Sequence, residues 1–176
     1  VSKVQYLAIG GGMANTFLSA RGVGIGKSLC ETELAGTARE VEAAAERAGC
    51  EIILPGDAVV ADALAAGVAT STVDISAVPK DAMILDVGAD SVSRLKEVLS
   101  QCRTVVWNGP LGAFETPPFD QGTFAVAHEV AKLTLEGKVL SVAGGGDTMA
   151  ALAQASVDTD FSYVSAAGGA FLEWLE

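Results

Sequence analysis

Apolar and polar positions alternate between two periods along this chain. Short runs that are apolar at consecutive positions, such as Ile52-Ile53-Leu54, Met83-Ile84-Leu85, Val105-Val106-Trp107 and Val139-Leu140-Ser141-Val142, are separated by stretches repeating every three to four residues. The runs predict strands at residues 4–9, 51–54, 82–87, 104–107, 139–143 and 161–164. The longer repeats predict helices. Residues 33–48 carry Leu34, Ala38, Val41, Ala45 and Ala48 on one face, and 91–102 carry Val92, Leu95, Val98, Leu99 and Cys102. Shorter helices are predicted at 13–21, 58–66, 121–135, 147–154 and 169–176, with an irregular excursion at 67–81 closed by Pro79. Strands apolar on both faces belong in a parallel sheet covered by helices on two sides, so the expectation is an α/β fold of three layers, α/β/α, with a mainly parallel six-stranded sheet.

Five of the apolar runs leave the sheet through glycine. Ile9 runs into Gly10-Gly11-Gly12, Leu85 into Asp86-Val87-Gly88, Trp107 into Asn108-Gly109-Pro110, Ala143 into Gly144-Gly145-Gly146-Asp147-Thr148, and Val164 into Ser165-Ala166-Ala167-Gly168-Gly169. Such exits gather backbone N–H groups and helix N-termini at one sheet edge, where an anionic group can sit.

Gly144 to Thr148 is the sharpest motif. Asp147 is either an N-cap or, given that hard oxygen ligands suit the ion, a ligand of Mg²⁺ travelling with a nucleotide; three glycines are more than a cap needs. Gly10-Gly11-Gly12 fits a dinucleotide site, a mononucleotide site or a tight turn, and lacks G-x-G-x-x-G. Residues 107–115 form a loop of defined shape, with Pro110 fixing φ between two glycines. Its Glu115 is either a ribose acceptor or an exposed carboxylate. Ser165 to Gly169 is either a phosphate site at a helix N-terminus or a small-residue turn. Gly22-Val23-Gly24-Ile25-Gly26-Lys27-Ser28 imitates a P-loop, but Arg21 stands where the first glycine is required and the run follows a helix. His128, the one histidine, sits in a helical pattern with no nucleophile motif beside it.

Composition narrows the classes. With 176 residues and 50% hydrophobic content there is material for one domain with a core. No apolar stretch reaches a membrane span, and Val1-Ser2-Lys3 does not open a signal peptide. Cys30, Cys50 and Cys102 are odd in number and widely spaced, so free thiols in a reducing compartment are expected over a disulfide framework or zinc site. Twenty-two acids face 11 bases, a net charge of −11 that disfavours nucleic acid. None of the 11 Lys and Arg falls in the five glycine loops. Phosphoryl transfer needs cations at the moving group, so a site of that kind must draw them from outside these residues. Both ends read as cut, consistent with a fragment.

Taken together, Gly10 to Phe17, Met83 to Gly88, Trp107 to Glu115, Gly144 to Thr148 and Ser165 to Glu173 resemble the C-terminal, nucleotide-binding domain of the phosphoglycerate kinase family, in that family's order and across nearly the whole chain. The resemblance implies a Rossmann-like domain of a cytoplasmic glycolytic kinase, monomeric as a parent. It would transfer a phosphoryl group reversibly between 1,3-bisphosphoglycerate and ADP with Mg²⁺, forming 3-phosphoglycerate and ATP. It implies that Gly11 and Gly12 flank the adenine and Leu85 touches it. Asn108, Pro110 and Ala113 line the pocket, with Glu115 on the ribose. Gly145 and Gly146 approach the nucleotide, Asp147 holds magnesium and Thr148 assists the phosphate. Gly168 and Gly169 stabilise the transferring group. No nucleic-acid or membrane partner is implied. The chain departs from the family at Ala166-Ala167, where threonine and glycine are usual, and at Ala89-Asp90, where proline and lysine are common. Two rivals remain: a non-catalytic nucleotide-binding module of the same fold, and a dinucleotide-dependent dehydrogenase, which the missing G-x-G-x-x-G disfavours.

Overall fold

The computed structural model describes residues 1–165. Its elements are β1 (Tyr6–Ala8), α1 (Gly11–Ala20), α2 (Ala35–Ala48), β2 (Glu51–Ile53), β3 (Asp57–Ala61), β4 (Ser71–Asp74), β5 (Met83–Val87), α3 (Ala89–Leu99), β6 (Thr104–Asn108), α4 (Gln121–Leu135), β7 (Leu140–Gly144), α5 (Gly146–Gln154) and β8 (Tyr163–Ser165). The mixed α/β character follows the periodicity closely. Each expected strand has an observed counterpart within two residues of its ends. The expected helix at 169–176 lies outside the described residues.

The single six-stranded sheet is corrected. Among the described residues the strands form three hydrogen-bonded sheets: parallel β1-β2, antiparallel β4-β3-β5, and parallel β6-β7-β8. The cause lies in two segments. Residues 58–66, expected to be helical, instead supply β3, whose Val59 and Val60 suit a strand. The excursion at 67–81 supplies β4. β3 pairs antiparallel with β5, from Ala58 opposite Val87 to Ala61 opposite Met83, with a bulge between Val59 and Val60. β5 is thereby drawn out of the parallel set.

Three apolar clusters match the three sheets. α4 and α5 cover one face of β6-β7-β8 through Trp107, Val126, Ala127, Val130, Ala143, Leu152 and Phe161, with the Trp107 and Phe161 rings 6.3 Å apart. Ile9, Ala14, Phe17 and Ala38 join α1 and α2 to β1-β2. Ala58, Val60 and Ala82 centre the antiparallel sheet. Cys50 is buried, Cys30 and Cys102 are half-buried, and all three thiols are free. No helix among the described residues is long and apolar enough to cross a membrane.

One helix touches all three sheets. On α3, Arg94 pairs with Glu51 of β2 at 2.8 Å, and Val92, Leu95 and Leu99 pack on the cluster around β6. Gln101, just past the helix, accepts a hydrogen bond from the Tyr6 hydroxyl of β1. Its N-terminus is capped from another element. The N-cap is Gly88, which has no side chain, and the buried Asp57 carboxylate of β3 accepts the N–H groups of Asp90 (3.1 Å) and Ser91 (2.8 Å) and the Ser91 hydroxyl (2.5 Å). A side chain on Gly88 would collide with that carboxylate. Asp90 stands exposed in the first turn, where the helix dipole favours an acid, which gives the departure from lysine a local reason.

This cap ties β3 to α3, and its removal takes the partner from the Asp90 and Ser91 N–H groups while the Ser91 hydroxyl keeps the Asp57 backbone carbonyl at 3.2 Å. Asp57→Ala is expected to cost about 3 kcal/mol, read as a lower urea midpoint at unchanged m-value; a loss under about 0.5 kcal/mol would show the cap to be dispensable.

Candidate functional site

The loop from Asn108 to Glu115 lies where several strands end; it closes two turns of its own, Phe114 N–H to the Gly112 carbonyl and Thr116 N–H to the Ala113 carbonyl, and most of its other bonds go to other elements. Gly109 turns the chain at φ +93°, a conformation that favours glycine. Its carbonyl accepts the Trp107 indole N–H at 2.6 Å, and its N–H donates to the Thr148 hydroxyl of α5 at 2.7 Å. The N–H groups of Leu111 and Gly112 both donate to the Thr123 hydroxyl of α4, at 3.0 and 3.3 Å. The Leu111 carbonyl accepts the Gly11 N–H at 3.0 Å, and the Ala113 N–H donates to the Leu85 carbonyl at 2.8 Å. Gly10 packs so closely on Leu111 that a side chain there would need the leucine to move.

Beneath the loop lies Asp86, 1% exposed. Its carboxylate accepts the N–H groups of Val87 and Gly122, each at 2.8 Å. Gly112 and Gly122 both face it without room for a Cβ. Burial pushes the Asp86 carboxyl up to about 7. The Gly122 and Val87 N–H groups pull it down, and the charge of Asp120 adds a smaller upward push.

α5 begins beside the loop. Gly145, its N-cap, has φ +100° and donates its N–H to the Ser165 carbonyl at the end of β8. The Asn108 and Thr148 side chains stand at the edge of contact, 3.6 and 3.5 Å from where a Cβ on Gly145 would be. Asp147 is exposed in the first turn of α5. Gly146 is exposed beside it.

The structure therefore joins Gly11, Leu85, Asn108, Pro110, Ala113, Gly145 and Thr148 through bonds or close approaches at one edge, with Gly12, Gly146 and Asp147 on the adjoining helix starts. Glu115 is exposed at the loop's far end. Thr148 is 2% exposed and its hydroxyl is engaged by Gly109, which makes it a tie for the loop. Gly168 and Gly169 lie outside the described residues.

Three contributors escaped the sequence reading. Leu29, 77% exposed, lies against Gly12, and its carbonyl is held by the buried Asn15 amide. Nothing in the pattern marked this leucine, because the segment 25–31 folds over α1 by tertiary contact. Thr123 and Asp86 were hidden inside helix and strand patterns; a polar residue in an apolar run was their available signal.

No group of three or more His, Cys, Asp or Glu able to hold a metal exists among the described residues. One exposed carboxylate, Asp147, at a helix start fits a different arrangement. Mg²⁺ accompanying a nucleotide takes one or two protein carboxylates, with phosphate oxygens and water completing its shell.

The family model for phosphoglycerate kinase matches residues 1–176. A phosphoglycerate kinase of Chelativorans sp. is 63% identical over the whole chain, and one of Methylorubrum populi is 60% identical. In both cases the chain spans 44% of the relative's length. The solved structure of phosphoglycerate kinase from Coxiella burnetii superposes with a TM-score of 0.92 at 44% identity, covering 98% of this chain and 43% of that one. The enzyme from Pyrococcus horikoshii gives 0.80 at 25% identity, covering 98% and 42%. A match over every residue, carried by fold and sequence alike, places this chain in the phosphoglycerate kinase family.

Proposed function

We propose that these residues form the C-terminal, nucleotide-binding half of a phosphoglycerate kinase, and that the edge around the Asn108–Glu115 loop receives the magnesium complex of ADP or ATP. The observation that carries this reading is the convergence of four strand exits on that loop, through Gly11, Leu85, Trp107 and Thr148. Gly11 and Gly12 present bare backbone to the base, and Leu85, with the exposed Leu29 and Met13, supplies apolar surface for its faces. Asn108, Pro110 and Ala113 form the wall, and Glu115 reaches the ribose hydroxyls.

The phosphates run toward the start of α5, where the free N–H groups of the first turn and the positive end of the helix dipole favour negative charge. Asp147 holds the metal there. Bound magnesium would neutralise phosphate oxygens as charge moves between them. Thr148 keeps Gly109, and through it the wall, in place. Gly168 and Gly169 are assigned to the transferring phosphoryl group by family resemblance.

The reaction breaks the acyl-phosphate P–O bond of 1,3-bisphosphoglycerate and forms a new P–O bond to the terminal oxygen of ADP. The cations this transfer needs and the phosphoglycerate site are assigned to the part of the enzyme outside these residues. The chain alone binds nucleotide and turns over little. The assigned place of action is the cytoplasm, with the whole enzyme a monomer.

Calorimetric titration with ADP tests the reading. Saturable binding that strengthens at least about tenfold with magnesium is expected, and Asp147→Ala should remove most of that strengthening. Binding that ignores magnesium in the parent would overturn the metal assignment, and no binding by the folded chain up to millimolar ADP would overturn the site. Thr148→Val, which deletes the tie to Gly109, should weaken ADP about three- to tenfold while Thr148→Ser retains affinity; equal affinity in both variants would return Thr148 to a packing role.

A further inference from the structure

We propose that Asp86 is the positioning residue of the Asn108–Glu115 loop, its carboxyl group setting where the loop and the start of α4 stand relative to β5. The proposal rests on the reading of that loop as the nucleotide wall. Its structural basis is separate. Asp86 bonds the first turn of α4 through the Gly122 N–H and its own strand through the Val87 N–H. Gly112 of the loop is pressed against the same carboxyl group with no room for a side chain. Residue 85 bonds the loop at Ala113 and residue 123 bonds it at Leu111 and Gly112, so Asp86 lies between the two elements that hold the loop down.

An acid in this position is costly when ionised. It is fully buried, and the groups that meet its carboxylate are the Val87 and Gly122 N–H groups, which carry no formal charge. The charged group that acts on it is also acidic: Asp120, at the head of α4. Asp57 of β3 faces Gly88, two residues further on, and Glu115 at the loop's far end is exposed. His128 stands exposed further along α4. With its midpoint near 7, the seated carboxyl is protonated on the acid side and charged on the basic side. Released from the loop and wetted, the same group returns toward its ordinary value of about 4. Protonation is therefore linked to the seated loop. The seated state has its full advantage below about pH 4, loses it by up to about tenfold for each pH unit as pH rises toward 7, and changes little above that.

Asp86→Asn removes the ionisation but keeps one acceptor oxygen for the two N–H groups, so it is expected to lower the seated population somewhat and to make it independent of pH. Trp107, whose indole bonds Gly109 inside the loop, reports its position. In a Trp174→Phe background, its emission should change between about pH 4 and pH 7 in the parent and be flat in Asp86→Asn. Asp120→Asn, at the rim of the site, should move the midpoint down by removing a neighbouring negative charge. With magnesium and ADP as the probe, the affinity of the parent relative to that of Asp86→Asn should fall about tenfold from pH 6 to pH 8; the ionisation of ADP itself cancels in that ratio. A flat emission profile in the parent, a midpoint unmoved by both substitutions, or an affinity ratio independent of pH would each overturn the proposal. The emission titration needs no nucleotide, so failure of the parent to bind ADP would strike the proposed function and leave the emission result to judge Asp86.

Discussion

The loop between β6 and α4 satisfies its own backbone only in its second half, and much of the architecture follows from the deficit in its first. Gly109, Pro110 and Gly112 leave the segment too irregular for a helix or a ladder, yet Trp107 and Phe114 at its ends are buried, so its polar groups cannot simply turn to water. The Thr148 hydroxyl meets the N–H of Gly109, the Thr123 hydroxyl meets those of Leu111 and Gly112, and Leu85 meets that of Ala113. Each partner belongs to a different element. A change in the placement of α4, α5, β5 or α1 is therefore transmitted to one short wall.

Such a wall needs a frame that does not shift, and three separate sheets do not supply one unaided. α3 supplies the continuity. Its first turn is fixed to β3 by Asp57, its middle to β2 by Arg94 and to the β6 cluster by Leu95 and Leu99, and the residue beyond its end to β1 by Gln101. The Arg94–Glu51 pair is half-exposed and screened, so it adds direction more than strength. The cap and the apolar face carry the stability. The helix can do this because β5, its predecessor, pairs with β3, which puts the buried Asp57 carboxylate of β3 beside the start of α3.

Periodicity gave the strands and most helices because both rest on local pattern, and the glycine exits stood out because close backbone approach needs glycine wherever it occurs. The failures share a cause. Ala58 to Ala66 reads as helix by composition, and only pairing with β5 and β4 makes its first half a strand. Periodicity says which residues are apolar on both faces and nothing about which edge a strand offers, so the six expected strands were found, β3 and β4 were added to them, and the eight divide among three sheets. Leu29 was illegible for a similar reason. Its place over Gly12 depends on Asn15 reaching across to its carbonyl, a contact fourteen residues apart. The resemblance assigns Thr148 to assist the phosphate, and its burial and its bond to Gly109, which the sequence does not show, set its geometry.

Charge accounts for the division of labour in the proposed site. None of the 11 Lys and Arg lies in the glycine loops, and four of them are paired elsewhere: Arg21 to Glu42, Arg94 to Glu51 and Glu97, Lys132 to Glu129 and Lys138 to Glu136. What the glycine loops offer an anion instead is backbone N–H and the first turn of α5, partial charges that hold a phosphate without fully neutralising it. Asp147 in that same turn adds a negative charge beside the place assigned to phosphate, an arrangement unfavourable for the bare anion and favourable once a divalent cation lies between them. A surface of net charge −11 sharpens the distinction, since it repels free nucleotide and repels its magnesium complex less. Selection for the metal complex can thus arise from the shortage of cations in these loops, with the loop geometry held by Thr148, Thr123 and Asp86 deciding where that complex comes to rest.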